Sequence, residues 1–445
     1  MLKKGDKKVI KGWVFYDWAN SVYNLVISSA IFPIFYDTVT TKAYLKRENL
    51  EVVADSSDVT VEFFGTLISP SVLMSFVLSA SFLVVSVLSP MLSGIADFSG
   101  NKKKFMQFFC YLGAISCITL FWFDAERIEL GMLSLFFASI GFWNSLVFYN
   151  AYLPEIAEPK DHDKISSKGF IMGYFGSMVL LVICLAMIMF IDDKLTKYSF
   201  ILVGLWWIIF SQYTFKRLPN NVYNKKKEKG ILWKGFKELR KVFVEFKQIK
   251  VLKRFLASFF FFNTGVQTVM LMAVLYAKRE IFVGEYEAEG QTGLIVAILL
   301  IQLLGAAGAF VISKLSSRIG NINSLIVVVA FWIPLCGFAY FLTTPVEFYL
   351  LAAGVGVVMG GVQALSRSTY SKFLPETEDH ASYFSFYDVT EKIGIVFGTF
   401  FFGFMEFITG NIRFSIMSVM FFFVVGLILL FFVPKKDTLN TKSIN

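Results

Sequence analysis

Asn221-Val-Tyr-Asn-Lys-Lys-Lys-Glu-Lys-Gly-Ile-Leu-Trp-Lys-Gly-Phe236 lies within the longest polar interval of the chain, residues 216–253. On either side the sequence is a succession of apolar stretches, and counting them outward decides the fold. A membrane-spanning helix needs about 20 mostly apolar residues, because it rises about 1.5 Å per residue through a core about 30 Å thick. Toward the N-terminus the stretches near 13–37, 71–95, 104–123, 130–152, 169–191 and 197–215 meet that length. Toward the C-terminus those near 254–277, 290–313, 322–343, 346–370, 383–408 and 412–433 do so. The pattern predicts an all-α membrane protein with twelve transmembrane helices. It divides into an N-terminal six-helix half (1–215), a basic linker (216–253) and a C-terminal six-helix half with a short tail (254–445).

The composition agrees. Of 445 residues, 56% are hydrophobic and 17% charged, with 52 Phe and a mean hydropathy of +0.63. A soluble domain carries about a quarter charged residues, and this chain would expose large apolar patches in water. The residues before Gly12 are basic, but the apolar stretch after them is too long for a signal peptide and no small-residue cleavage site follows, so it reads as a permanent first span. Cys110, Cys117, Cys184 and Cys336 all fall in apolar stretches without ligand or redox spacing, while His162 and His380 fall in polar loops. These predict neither metal nor cofactor. Neither a nucleophile–base set nor a phosphate-cradling glycine loop is evident, so the expectation is a protein that is not an enzyme and not ATP-driven.

Charge sets the expected orientation. Of the 42 Lys and Arg, 32 fall on the side of the N-terminus, 9 on the other, and Lys392 within a span. By the positive-inside rule both termini are cytoplasmic, in a bacterial-type inner membrane. Within the linker, 221–229 reads as a charged connector. Beyond it Leu232, Phe236, Leu239, Phe243, Phe246 and Ile249 recur at helical spacing with Lys234, Lys237, Lys241 and Lys247 between them. That pattern predicts a basic amphipathic helix on the inner leaflet, held by anionic headgroups. Topology thus accounts for the net charge of +9 without nucleic acid.

Between the second and third spans stands Gly94-Ile-Ala-Asp97-Phe-Ser-Gly100-Asn-Lys102-Lys103-Lys104. This resembles the loop signature of the major facilitator superfamily. Gly94 permits close helix approach, Gly100 a tight turn, and Asp97 can pair with basic residues or a helix N-terminus, latching an outward-open state. In the second half the related loop has Ser317 where an acid is expected, which predicts a weakened or absent latch there.

The opening Gly12-Trp13-Val-Phe-Tyr16-Asp17-Trp18-Ala19-Asn20-Ser21-Val-Tyr23 is similar to the signature of the vacuole-effluxer branch of that superfamily. Three further stretches agree: Phe148-Tyr149-Asn150-Ala151-Tyr-Leu-Pro154-Glu155, Gly360-Gly361-Val-Gln363-Ala-Leu-Ser366-Arg367-Ser368, and Phe384-Ser-Phe-Tyr387-Asp388-Val-Thr-Glu391-Lys392-Ile-Gly394. The resemblance covers essentially the whole chain. It implies the major facilitator fold and efflux of amino acids or similar small metabolites. It also implies an acidic residue directly after Asn263, where this chain has Thr264.

Polar residues inside spans are costly and therefore candidate functional groups. Asp17, Asn20 and Asn24 form one stripe on the first span; Asp17 can alternatively complement the helix N-terminus. Asn263 and Gln267 face each other by one turn in the seventh span. With Asn24, Asn144, Gln302, Gln363 and Lys392 they form the expected substrate-binding set, although a lone Asn or Gln can equally be a helix–helix hydrogen bond. The expected coupling or gating set is Asp17, Asn20, Gly94, Asp97, Gly100, Lys102, Lys103, Arg367, Asp388 and Glu391. Asp388 and Lys392 can pair at i,i+4, and Arg367 is expected to reach Asp388 or Glu391. Lys392 lies too deep to snorkel and is expected to contact substrate or balance charge in the cavity.

The reading is a monomeric secondary transporter of a small polar solute working by alternating access, with protons as a candidate coupling ion and membrane lipids as partners. A non-transporting sensor or scaffold of the same fold, or a broad-specificity drug exporter, are the alternatives.

Overall fold

The computed structural model describes residues 4–50, 59–220, 222–223 and 231–434. Most of the predicted charged connector, the tail from 435 and the side chain of Leu232 lie outside the described residues. Among the described residues, twelve helices are long and apolar enough to cross a membrane: Lys7–Glu48, Pro70–Ser99, Lys102–Trp122, Ile128–Ile156, Pro159–Phe190, Asp193–Arg217, Lys250–Glu280, Thr292–Ile319, Asn321–Phe341, Pro345–Phe373, His380–Thr409 and Ile412–Phe431. They are numbered spans 1 to 12 below.

Local chemistry explains where several begin and end. Span 10 starts with Pro345 at its first turn behind Thr344, whose hydroxyl accepts from the Glu347 amide while the Glu347 carboxylate accepts from that of Thr344; this reciprocal capping satisfies two otherwise orphaned donors. Span 2 ends on Gly100, whose left-handed φ of 68° closes the helix at little steric cost. Span 1, at 42 residues, overruns its expected end at 37. After its apolar part, Tyr36 to Glu48 continue the helix beyond bilayer depth until Asn49 caps it at φ 56°. The sequence reading also missed a short antiparallel hairpin, Val61–Phe63 with Thr66–Ile68, whose turn residues Phe64 and Gly65 both have positive φ.

Among the first six spans, 1 packs on 5 and 6, 3 on 4 and 6, and 2 on 4; among the last six, 8 and 9 pack on 10, 7 on 11 and 12, and 9 on 12. The two sets meet along span 2 against span 11 and span 5 against spans 8 and 10. The spans alternate in direction, so the described ends, Lys4 and Pro434, lie on one side, here the terminal face; the other is the distal face.

The helix Ile231–Gln248 departs from its expected single apolar stripe. Gly235, Leu239, Val242 and Phe246 turn toward the protein, where Val242 is fully buried and the Phe246 ring lies 5.2 Å from that of Phe386 of span 11, tilted at 42°. Gly94 of span 2 faces Gly235 so closely that a Cβ on either would collide with the other helix's backbone. Trp233, Phe236 and Val244 instead form an exposed second face, interleaved with Lys237, Arg240 and Lys247. The apolar positions therefore serve two surfaces, one packed on the bundle and one exposed.

Candidate functional site

A central cavity of about 260 Å³ is walled by both sets of spans. From span 1 it takes Asp17, Asn20 and Asn24, the whole predicted stripe. Asn24 is exposed to the cavity at mid-span, within a segment, Tyr23–Ala30, wound as a π-helix. Such widened turns are uncommon and recur at functional sites; within this one the Asn24 carbonyl also accepts from the Ser29 hydroxyl at 2.9 Å. Asn263, Gln267, Gln302, Gln363, Arg367 and Glu391 also reach the wall.

Two of these present unmet donors. The amide nitrogens of Asn20 on span 1 and Asn263 on span 7 are buried without a hydrogen-bond partner among the described residues. A buried donor left so costs about 1–3 kcal/mol. Others are satisfied across the seam: the Tyr174 hydroxyl of span 5 donates to Gln363 of span 10 at 3.1 Å.

Two members of the expected substrate set do not reach the cavity. Asn144 is fully buried and donates to the Ile140 carbonyl of its own helix at 3.1 Å; its neighbour Trp143 takes the wall position. Lys392 is also fully buried, behind the wall. Its ammonium lies 3.1 Å from Asp388 and 3.0 Å from Glu391, and 3.4 Å from the centre of the Trp143 ring. Those partners occupy it, and it does not line the cavity as the solute-contact expectation requires.

Arg367 also differs from expectation. It does not join Asp388 or Glu391 but crosses to the first six spans, where its guanidinium meets Asp17 at 3.3 Å. It donates further to the Ser166 hydroxyl and carbonyl, each at 2.9 Å, and its plane lies over Phe170 at 4.2 Å. The Tyr149 hydroxyl donates to Asp17 at 2.7 Å. Asp17 is thus a cross-half ion-pair partner rather than a helix-terminus complement. Gly169 is required there, because a Cβ would collide with the Asp17 carboxylate. Sequence spacing could not reveal a pair 350 residues apart.

Below this floor the terminal face is sealed. Asp97 accepts from the amides of Ala381 and Ser382, at 3.2 and 2.7 Å, in the first turn of span 11. Lys102 stands 3.7 Å from Asp97 and pairs with Glu155, whose carboxylate lies 3.2 Å from His380. Lys103 instead donates to the Leu218 carbonyl at 2.9 Å. In the second half a latch exists despite Ser317, which is exposed and bonds only its own helix. The acid has moved to the facing helix: Asp163 of span 5 receives Lys372 at 2.6 Å, Asn321 at 2.8 Å and Ser316 at 3.1 Å. The expected weakened or absent latch at Ser317 itself thus stands beside a cross-half polar cluster centred on Asp163.

The distal face contrasts with this. There the wall runs out through Ser28, Ser29, Val274 and Phe348, and the halves touch through Lys278 and Asp37, 4.0 Å apart with both side chains exposed. Thr264, where the resemblance implied an acid, donates to the Phe260 carbonyl at 2.6 Å and is absent from the cavity wall. Glu391 of the facing span 11 brings a carboxylate to this level, accepting from Gln267 at 2.7 Å. Among the described residues no cluster of His, Cys, Asp or Glu could hold a metal ion.

A family profile described as "Vacuole effluxer Atg22 like" matches residues 5–443. The chain is 29% identical to the uncharacterized MFS-type transporter YxiO of Bacillus subtilis (strain 168), over all of this chain and 98% of that one. It is 24% identical to autophagy-related protein 22 of Coccidioides immitis (strain RS), covering 88% of this chain and 81% of the relative. The crystal structure of the human organic anion transporter MFSD10 shares the fold, with a TM-score of 0.67 at 11% identity over 96% of this chain and 100% of that one.

Proposed function

We propose, from the premise that this chain belongs to the Atg22-like vacuole effluxer family of major facilitator transporters, that it moves a small polar solute across the membrane by alternating access. One observation carries this reading: a polar cavity between the halves has a heavily locked floor and a thin, exposed contact at its mouth. The Asp17–Arg367 pair and the Asp97 and Asp163 latches bury charge across the seam. The Asp37–Lys278 contact is exposed, and pairs of that kind contribute about 0–1 kcal/mol. The geometry suits a transporter resting with the terminal face closed, the cavity facing the distal side.

The solute follows from the wall. The exposed Asn24 and the wall residues Gln267 and Gln363 favour a solute with hydrogen-bonding groups, and the cavity volume suits a small metabolite. The motif resemblance described above makes an amino acid the first candidate. Charge asymmetry among the loops supports cytoplasmic termini, and the exposed aromatic and basic face of the 231–248 helix suits an anionic inner leaflet. A thermal-shift screen of the purified protein against amino acids and related metabolites tests the reading, since a ligand of the folded state raises the melting temperature. Shifts with none of them would reject this substrate class; shifts only with bulky apolar cations would favour a drug exporter.

A further inference from the structure

Resting on the transporter reading, we propose that Glu391 is the proton-accepting site of this protein, with Lys392 and Asp388 setting its charge. The argument begins with a count. In the membrane core, Asp17 and Arg367 neutralise each other, whereas Lys392 alone faces two carboxylates, Asp388 at 3.1 Å and Glu391 at 3.0 Å. The triad with all three groups ionised carries one negative charge more than positive. An uncompensated charge in a core costs several kcal/mol, so the site gains by binding one proton.

Geometry selects which acid takes it. Glu391 lines the cavity and its side chain keeps 17% of its surface. Asp388 does not line the cavity, and its Oδ2 atom is buried without a hydrogen-bond partner among the described residues. Water in the cavity therefore reaches Glu391 and not Asp388. The surroundings add no competing charge at this depth. Span 7 contributes the neutral Gln267, span 4 the ring of Trp143, and span 11 itself Tyr387. The ionisable groups of spans 2, 4, 7 and 12 otherwise lie at their ends, and Arg367 is committed to Asp17.

The step is a single transfer. A hydronium ion in the cavity gives its proton to the Glu391 carboxylate, leaving water and a neutral acid, and Lys392 then pairs with Asp388 alone. The triad passes from one net negative charge to none. Enclosing a neutral triad costs less than enclosing a charged one, so protonation favours closure of the distal mouth. Release to the other side restores the charge. Trp143, from the first six spans, covers the Lys392 ammonium, so the triad lies at the seam that must slide.

The test uses dicyclohexylcarbodiimide, which modifies protonated carboxyl groups in apolar surroundings, on the intact protein in detergent and in liposomes, with sites mapped by peptide mass spectrometry. Glu391 is expected to be modified, with a yield that falls as pH rises. Lys392→Met removes the neighbouring cation and is expected to move the half-modification pH up by about one unit or more. Asp388→Asn removes the neighbouring anion and should move it down by a similar amount; either variant suffices should the other fail to fold. No modification of Glu391 at any pH where the protein is folded, or the same profile in the variants as in wild type, overturns the proposal. The labelling needs no transport. A protein that labels as expected yet exchanges no solute refutes the transporter reading alone, and one that exchanges solute with Glu391 unlabelled refutes this proposal alone.

Discussion

Arg367→Met is the perturbation whose consequence is most sharply set by the structure. Arg367 sits in the second half, and its hydrogen-bond partners Asp17, Ser166 and Asn150 all sit in the first. Removing it leaves the Asp17 carboxylate buried without its cation only while the terminal face is closed; once the halves part, water solvates it. Breaking a buried pair by deleting one partner costs about 3–5 kcal/mol. The Tyr149 hydroxyl, in the same half as Asp17, stays with it in both states, which argues for the lower figure. At about 1.4 kcal/mol per tenfold, the ratio of terminal-open to terminal-closed molecules should rise about 100-fold. Spin labels at Lys164 and Arg318, exposed residues of the two halves at the terminal face, report this as a longer-distance population in double electron–electron resonance. The Asp17→Asn/Arg367→Met double variant removes the stranded charge and should return the ratio to within about tenfold of wild type, the residue reflecting lost bonds to Ser166 and Asn150. An unchanged distance distribution in Arg367→Met, or a double variant as open as the single, refutes the reasoning.

Three further outcomes follow from the same contacts. Asp97→Asn removes the charge and leaves one of the Ala381 and Ser382 amides, which meet different carboxylate oxygens, without an acceptor, weakening the latch by about 1–3 kcal/mol; it should insert normally and transport more slowly, and a wild-type rate would count against a gating role. Gly94→Val places methyl groups against the Gly235 backbone at a cost of about 1–3 kcal/mol, so amide hydrogen exchange across 231–248 should accelerate, and unchanged protection would contradict the close approach. Replacing Lys237, Arg240 and Lys247 together with serine should weaken the effect of anionic lipid on melting temperature, at about 1 kcal/mol per basic residue, whereas equal stabilisation by neutral and anionic lipid in both proteins would exclude a headgroup role.

Twelve spans were legible in the sequence because lipid leaves a helix no alternative to internal hydrogen bonding, so length and hydropathy suffice. The stripe of Asp17, Asn20 and Asn24 was legible for a related reason: polar groups in a span must face away from lipid, and helical periodicity shows that they share a side. What periodicity cannot show is which partner each group meets. Arg367 was assigned to the carboxylates nearest in sequence but pairs across the halves with Asp17, and only the packing of spans 1, 5 and 10 reveals it. Asn144 and Trp143 exchange roles because the sequence does not determine which neighbour faces the cavity on a span polar at both. The cluster at Asp163 leaves no mark in the loop around Ser317, because its acid lies on span 5 and its donors Ser316, Asn321 and Lys372 on other helices. The π-helical turn at Asn24 leaves no compositional trace at all.

Solute counterflow in proteoliposomes tests the central claim most directly. Vesicles preloaded with unlabelled amino acids should transiently accumulate the matching radiolabelled ones above the level in protein-free vesicles. A bis-maleimide joining cysteines placed at Asp37 and Lys278, whose side chains approach to 4.0 Å at the distal face, should abolish that accumulation by holding the two halves in the observed arrangement, while the same reagent leaves the wild type, with its four buried cysteines, active. Absence of counterflow for the whole set would contradict transport of this solute class, and counterflow that persists in the cross-linked protein would contradict alternating access through this cavity.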